Sequence, residues 1–228
     1  MLRLYIANKN YSSWSLRPWV LMRELRIEFE ERLERFRGDA TGAEFQRFSP
    51  SAKVPCLHDG ETIVWDSLAI VEYLAEDHPH VWPESKAARA WARSASAEMH
   101  SSFGKLRQIC GMNIGVRVAL TAVSSGLASD IERLGSLWEQ GLEHFGGPFL
   151  AGERFTAVDA FFTPAASRCQ TYNLSLSKPA QAYCMRLLQQ PAMLDWTRAA
   201  LAETWRDDAH EAELTRYGRV VQDLRARG

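Results

Sequence analysis

Residues 54–65 read VPCLHDGETIVW, and this stretch restricts the fold more than any other. Two short apolar runs meet at Asp59-Gly60, a pair suited to the left-handed turn of a tight hairpin. Pro55 opens the first run. A residue without an N–H cannot serve the middle of a ladder, so it marks the strand's beginning. A trans bond makes this a plain edge start, whereas a cis Val54–Pro55 bond turns the Val54 backbone toward a peptide-like ligand. The residues themselves leave both open.

Around this hairpin the first 80 residues alternate between strand and helix signals. LRLYIA (Leu2–Ala7) alternates and is rich in strand formers. After a cluster of serines, Trp19, Val20, Met22 and Leu25 suit a short helix, with Ser15 as its cap and Pro18 in the first turn, where no donor is required. IEFEERLERF supplies a second strand, and a short helix is predicted around Ala43–Phe48. Ser67 then precedes LAIVEYLAED, which has the broad apolar face of a helix. The order is β-α-β-α-β-β-α. Its first two strands, joined through a helix, are expected to be parallel, and its last two antiparallel.

PHVWPES (Pro79–Ser85) breaks this pattern and is read as a linker over 80–85 between domains at 1–79 and 86–228. Beyond it the periodicity is helical, with helices predicted over Lys86–Cys110, Ser125–Phe145, Ala157–Thr171, Pro179–Gln189 and Ala192–Glu203. Strand-like alternation there is weak, so the second domain is expected to be all-helical, with a polar tail after Glu203. The net charge of −1 gives no general attraction to nucleic acid or an anionic membrane. No apolar run reaches the roughly 18 residues of a membrane span, and the N-terminus does not read as a signal peptide; a cytoplasmic protein is expected. Cys56, Cys110, Cys169 and Cys184 form no Cys-x-x-Cys pair and accompany no histidine cluster. They are therefore read as reduced, buried apolar residues, with no metal site.

An element order of β-α-β-α-β-β-α with proline opening the third strand resembles the thioredoxin fold. Where redox members carry Cys-x-x-Cys, this chain has Ser12-Ser13-Trp14-Ser15. Hydroxyls cannot exchange disulfides, but they can donate a hydrogen bond to a thiol. With KVPCL, WDSLAIVEYL and FLAGERFTAVDAFFTP in order along nearly the whole chain, the sequence resembles the glutathione S-transferase family, in its serine-type, zeta- and theta-like form. Thr156-x-x-Asp159 has the form of that family's helix capping box, a folding rather than a catalytic element.

The resemblance implies a homodimer using glutathione as co-substrate, with no metal. In serine-type members the first serine of the motif bonds the glutathione sulfur; here that residue is Ser12, with Ser13 as the rival. Tyr11 is read as packing at the strand end. By the same analogy Ser67, Asp66, Val54, Pro55, Lys53 and Ser13 line the glutathione site. Ser67 faces the γ-glutamyl carboxylate, and Asp66, where most members have Glu, its ammonium. Lys53 can reach the glycyl carboxylate. Trp91, His100, Phe103 and Arg107 are candidates for the second-substrate pocket. The implied activity is attack of an activated thiol on a small, apolar electrophile. An alternative is isomerisation of the maleylacetoacetate type, though Trp14 replaces the cysteine of the zeta Ser-Ser-Cys motif. A second alternative is a non-catalytic binding or stress-related module.

Overall fold

The computed structural model describes residues 1–226. β1 (Leu2–Ile6) sends Leu4 and Ile6 into the core, as its alternation demands. α1 (Ser13–Glu24) crosses over to β2 (Phe29–Leu33), which pairs with β1 in parallel from Leu2↔Phe29 to Ile6↔Leu33. A one-turn helix α2 (Thr41–Phe45) follows, and then the hairpin β3 (Cys56–Asp59) and β4 (Thr62–Trp65). Gly60 turns this hairpin at φ +57°, a conformation that glycine adopts without a Cβ clash. The sheet order is β2-β1-β3-β4, with β3 antiparallel to both neighbours. α3 (Ser67–Asp77) packs against α1, and a single 3₁₀ turn (Pro79–Val81) leads away from it. The N-terminal unit is thus thioredoxin-like.

The C-terminal region is helical. It comprises α4 (Lys86–Ser101), α5 (Gly104–Ile109), β5 (Val116–Leu120), α6 (Ser125–Phe145), α7 (Ala157–Tyr172), α8 (Lys178–Leu188), α9 (Pro191–Ala202), α10 (Asp208–Arg216) and β6 (Gly218–Asp223). α7 is buried almost from end to end and packs on α1, α4 and α8. Its start carries the predicted capping box. Asp159 accepts from the Thr156 and Leu150 backbones, both at 3.0 Å, and from the Tyr183 hydroxyl at 2.8 Å. Burial pushes its carboxyl up to about 6 against those bonds.

Four expectations change. α1 starts at Ser13, so Ser12 rather than Ser15 holds the N-cap position. Pro18 then lies in the helix interior, where its missing N–H leaves the Trp14 carbonyl without an i+4 donor. The single helix predicted over Lys86–Cys110 breaks at Phe103, which sits in the left-handed region at φ 59°. The helical region also contains an antiparallel ribbon of β5 and β6. Its strands are far apart along the chain, so no turn residues announce the pairing. The polar tail after Glu203 folds as α10 and β6. All four cysteines are buried and free, and no helix among the described residues is long and apolar enough to cross a membrane.

Candidate functional site

Two adjoining cavities of about 400 Å³ each share Trp14, Lys53 and Val54 as lining. Tyr11, Ser12, Ser13, Arg107, Arg168 and His210 line the first; Pro55, Trp65, Asp66 and Ser67 line the second. A larger cavity of about 980 Å³ lies beside the β5–β6 ribbon, but it collects none of the residues the sequence singles out. The chemistry-bearing side chains converge on the smaller pair.

Ser12 is buried at the start of α1, where serine ordinarily caps the first turn. Its side chain caps nothing. Instead the Ser12 hydroxyl donates to Ser15 Oγ at 2.7 Å, and Ser15 Oγ also accepts from the Ala7 N–H at 3.3 Å. Tyr11 next to it is committed elsewhere, donating to Glu211 Oε1 at 2.6 Å. Burial first, and then that bond to Glu211, pushes its phenol well up.

In the second cavity the Val54–Pro55 bond is cis. Asp66 holds the N-cap of α3 at φ 75° and accepts from the Leu68 N–H at 2.8 Å. Ser67 opens the helix, and its buried hydroxyl has no partner among the described residues. Lys53 is exposed at the rim of both cavities.

The candidates for the second-substrate pocket separate. Arg107 lines the first cavity. His100 lines neither, and its Nε2 lies 3.4 Å from Asp66 Oδ2. Burial lowers its pKa, with Asp66 opposing that and Arg17 and Arg107 adding to it. Trp91 packs on Phe145 at 5.5 Å, against Gly141, on the face of α4 turned to α6. Phe103 is buried in the core at the α4–α5 break. Aromatic spacing on a helix marks an apolar face and does not say which neighbour that face meets.

Arg168 was missed, and a guanidinium in the apolar run FFTPAASRC was the signal for it. It is buried, its Nε donating to the Cys110 carbonyl at 2.8 Å and its Nη1 to that of Pro164 at 3.3 Å. Arg107 donates to the carbonyls of His100 and Ser102. Neither forms an ion pair among the described residues. Burial and the nearby Arg107 push Arg168 down to about 10. Arg17 lies beneath them, 4.1 Å over the Trp14 ring, with Nε and Nη1 unpartnered among the described residues. Burial, then Arg107 and Arg168, lower its pKa. Glu213 is the single carboxylate lining this cavity among the described residues. Lys53, Arg107 and Arg168 outnumber it, so the lining of this cavity is net positive.

A thioredoxin-type sheet with serine in place of the dithiol, joined to a helical region around a capping-box helix, defines the glutathione transferase class of fold. The family described as glutathione S-transferase, N-terminal domain, matches residues 11–77. A probable maleylacetoacetate isomerase of Vibrio cholerae serotype O1 is 29% identical over 84% of this chain and 94% of its own length. A zeta-class glutathione S-transferase of Euphorbia esula is 26% identical over 72% of this chain and 73% of its own. Among solved structures, a glutathione transferase homologue from Burkholderia GL BGR1, with bound glutathione, superposes with a TM-score of 0.66 at 20% identity. The match covers 87% of this chain and 97% of that one. The theta-class enzyme of Xanthomonas axonopodis pv. citri, also with glutathione bound, gives 0.63 at 21% identity over 89% and 98%. Residues 11–77 thus match the N-terminal domain of the glutathione S-transferase family, and the chain as a whole shares the fold of the solved glutathione transferases.

Proposed function

We propose that the protein is a glutathione-dependent enzyme in which Ser12 stabilises the glutathione thiolate for attack on a small electrophile. The observation that carries this reading is the Ser12 hydroxyl, which occupies an N-cap yet satisfies no backbone donor. A free thiol titrates near 8.5, so little of it is reactive at neutral pH. One hydrogen bond to a charged acceptor contributes about 1.5–3 kcal/mol, and 1.36 kcal/mol corresponds to about one pKa unit. With the positive end of α1 behind it, Ser12 lowers the bound thiol by about one to two units. The adjoining cavity suits the rest of the tripeptide. Ser67 and the first N–H groups of α3 meet the γ-glutamyl carboxylate, Asp66 its ammonium, the Val54 backbone the cysteinyl amide, and Lys53 the glycyl carboxylate. A homodimer is part of the proposal.

The net positive lining favours an electrophile with a carboxylate over the apolar one expected from the sequence. Arg107 and Arg168 are fixed by neutral carbonyls, which leaves their charge available to an anion. This supports the isomerase reading alongside conjugation, since the acid named in several relatives is such an electrophile.

Retention on immobilised glutathione tests binding first. Thiolate absorbance of bound glutathione, titrated in wild type and Ser12→Ala, then tests the mechanism. The expected result is a thiol titrating about one to two units higher in the variant. Equal values would take Ser12 out of the role. Turnover of an acidic cis-enone against a neutral aryl halide separates isomerisation from conjugation.

A further inference from the structure

His210 and Asp207 take no part in the roles above, yet their geometry is that of an oriented base. Asp207 is the N-cap of α10, and its Oδ2 accepts from the His210 N–H at 3.2 Å. The same oxygen lies 2.6 Å from His210 Nδ1. Burial raises the Asp207 carboxyl, but the two His210 bonds outweigh it and hold the group below its ordinary range. The ring stacks on Tyr11 at 4.9 Å and 17°, and lies tilted on Phe36 at 4.8 Å and 33°. Two aromatic neighbours and one bonded nitrogen fix its orientation. Nε2 has no hydrogen-bond partner among the described residues, and the side chain, 32% exposed, lines the cavity that holds Ser12 and Ser13.

Helix capping alone does not account for this. The cap needs only the Asp207 carboxylate and the His210 backbone N–H, which any residue at 210 supplies. It requires neither an imidazole nor an aromatic neighbour on the strand side. An imidazole whose Nδ1 is held by a buried carboxylate, whose Nε2 is unpaired among the described residues and whose ring lines a cavity, has the arrangement that accepts a proton in place.

We infer that His210 is the general base of this site, taking the proton of the glutathione thiol at Nε2 while Asp207 holds Nδ1–H. The inference rests on the glutathione-dependent reading above. In the step, the S–H bond breaks and Nε2–H forms, and the electron pair stays on sulfur, where Ser12 donates to it. Asp207 compensates the imidazolium charge. The thiolate then forms the S–C bond with the electrophile. The proton leaves Nε2 for the departing group in a substitution, or for the carbanionic carbon in an addition, which restores the neutral ring. No further reactant is required. The charged and titratable groups around the ring are Tyr11 from the β1–α1 loop, Lys53 before β3, Arg107 on α5, Arg168 on α7, Glu211 and Glu213 on α10, and Arg225 beyond β6.

The test compares the pH profile of kcat/KM and the titration of bound glutathione in wild type, His210→Gln and Asp207→Asn. Asparagine still accepts the backbone N–H, so a merely structural Asp207 would leave the profile unmoved. For His210→Gln the expected loss at neutral pH is about 100-fold, with the acidic limb of the profile abolished. For Asp207→Asn a smaller loss is expected, with that limb moved. A raised KM for glutathione with unchanged profiles in both variants would overturn the inference, because His210 would then only grip the ligand. Failure of the wild type to bind glutathione would instead strike the reading beneath it.

Discussion

At the scale of single residues, Ser15 decides what Ser12 is free to do. Each hydroxyl carries one proton and can also accept. Ser15 already accepts from Ala7, so its own proton remains available to the 2.7 Å contact with Ser12. When that contact reverses direction, the Ser12 proton is released to a thiolate without losing its neighbour. Ser15→Ala removes both ends of this relay. It leaves the Ala7 N–H unpaired, at a cost of about 1–3 kcal/mol, which a denaturant midpoint measures. The bound thiol should also titrate higher than in wild type, by less than Ser12→Ala produces. An unchanged titration would mean that Ser12 orients itself unaided.

At the scale of elements, the hairpin and the starts of α3 and α7 were legible because their signals are local. Asp59-Gly60 specifies a turn, Asp66-Ser67 a helix start, and Thr156 with Asp159 a cap within four residues. The α10–β6 segment had no such signal. Its polar residues look like a solvated tail until their partners are known, and two of those partners, Tyr11 and Asn113, lie far away along the chain. Glu211 accepts from Tyr11 at 2.6 Å and from Asn113 at 3.3 Å, and it pairs with Arg225, which also holds Asp223. His210 was invisible for the same reason. For Glu211 burial opposes the shift, but the Arg225 and Tyr11 bonds outweigh it and lower its pKa; for Asp223 the Arg225 bonds lower it directly. The sign follows from linkage. A depressed folded pKa contributes stability above the unfolded value and loses it as pH falls through the folded one. Those carboxylates start from 4.5 and 3.8. Stability should therefore fall below about pH 4.5, and Glu211→Gln should lose less over that interval than wild type. Denaturant midpoints at about pH 6 and about pH 3.5 check this. Parallel losses in the two proteins would show that the Glu211 cluster does not carry the acid sensitivity.

Across the whole molecule, a net charge of −1 conceals a segregation of charge. Most acidic side chains lie outside this cavity, whereas Arg107 and Arg168 line it from α5 and α7 and Arg17 on α1 lies close to both. Composition could not reveal this, since three arginines on α1, α5 and α7 are brought together only by the fold. The segregation has a functional cost: guanidiniums with no carboxylate partner among the described residues remain partly uncompensated. An anionic electrophile supplies the missing charge and so binds where a neutral one gains little. Arg168→Met keeps the apolar stem and removes the charge. A charge-assisted bond of about 1.5–3 kcal/mol corresponds to a rise of about 10- to 100-fold in KM for an acidic electrophile. The KM for glutathione should stay unchanged, as should turnover of a neutral electrophile of similar size. Initial rates with paired acidic and neutral substrates measure both. Equal losses on the two would place Arg168 among the residues that merely support α7, and would return the electrophile to the apolar class the sequence first suggested.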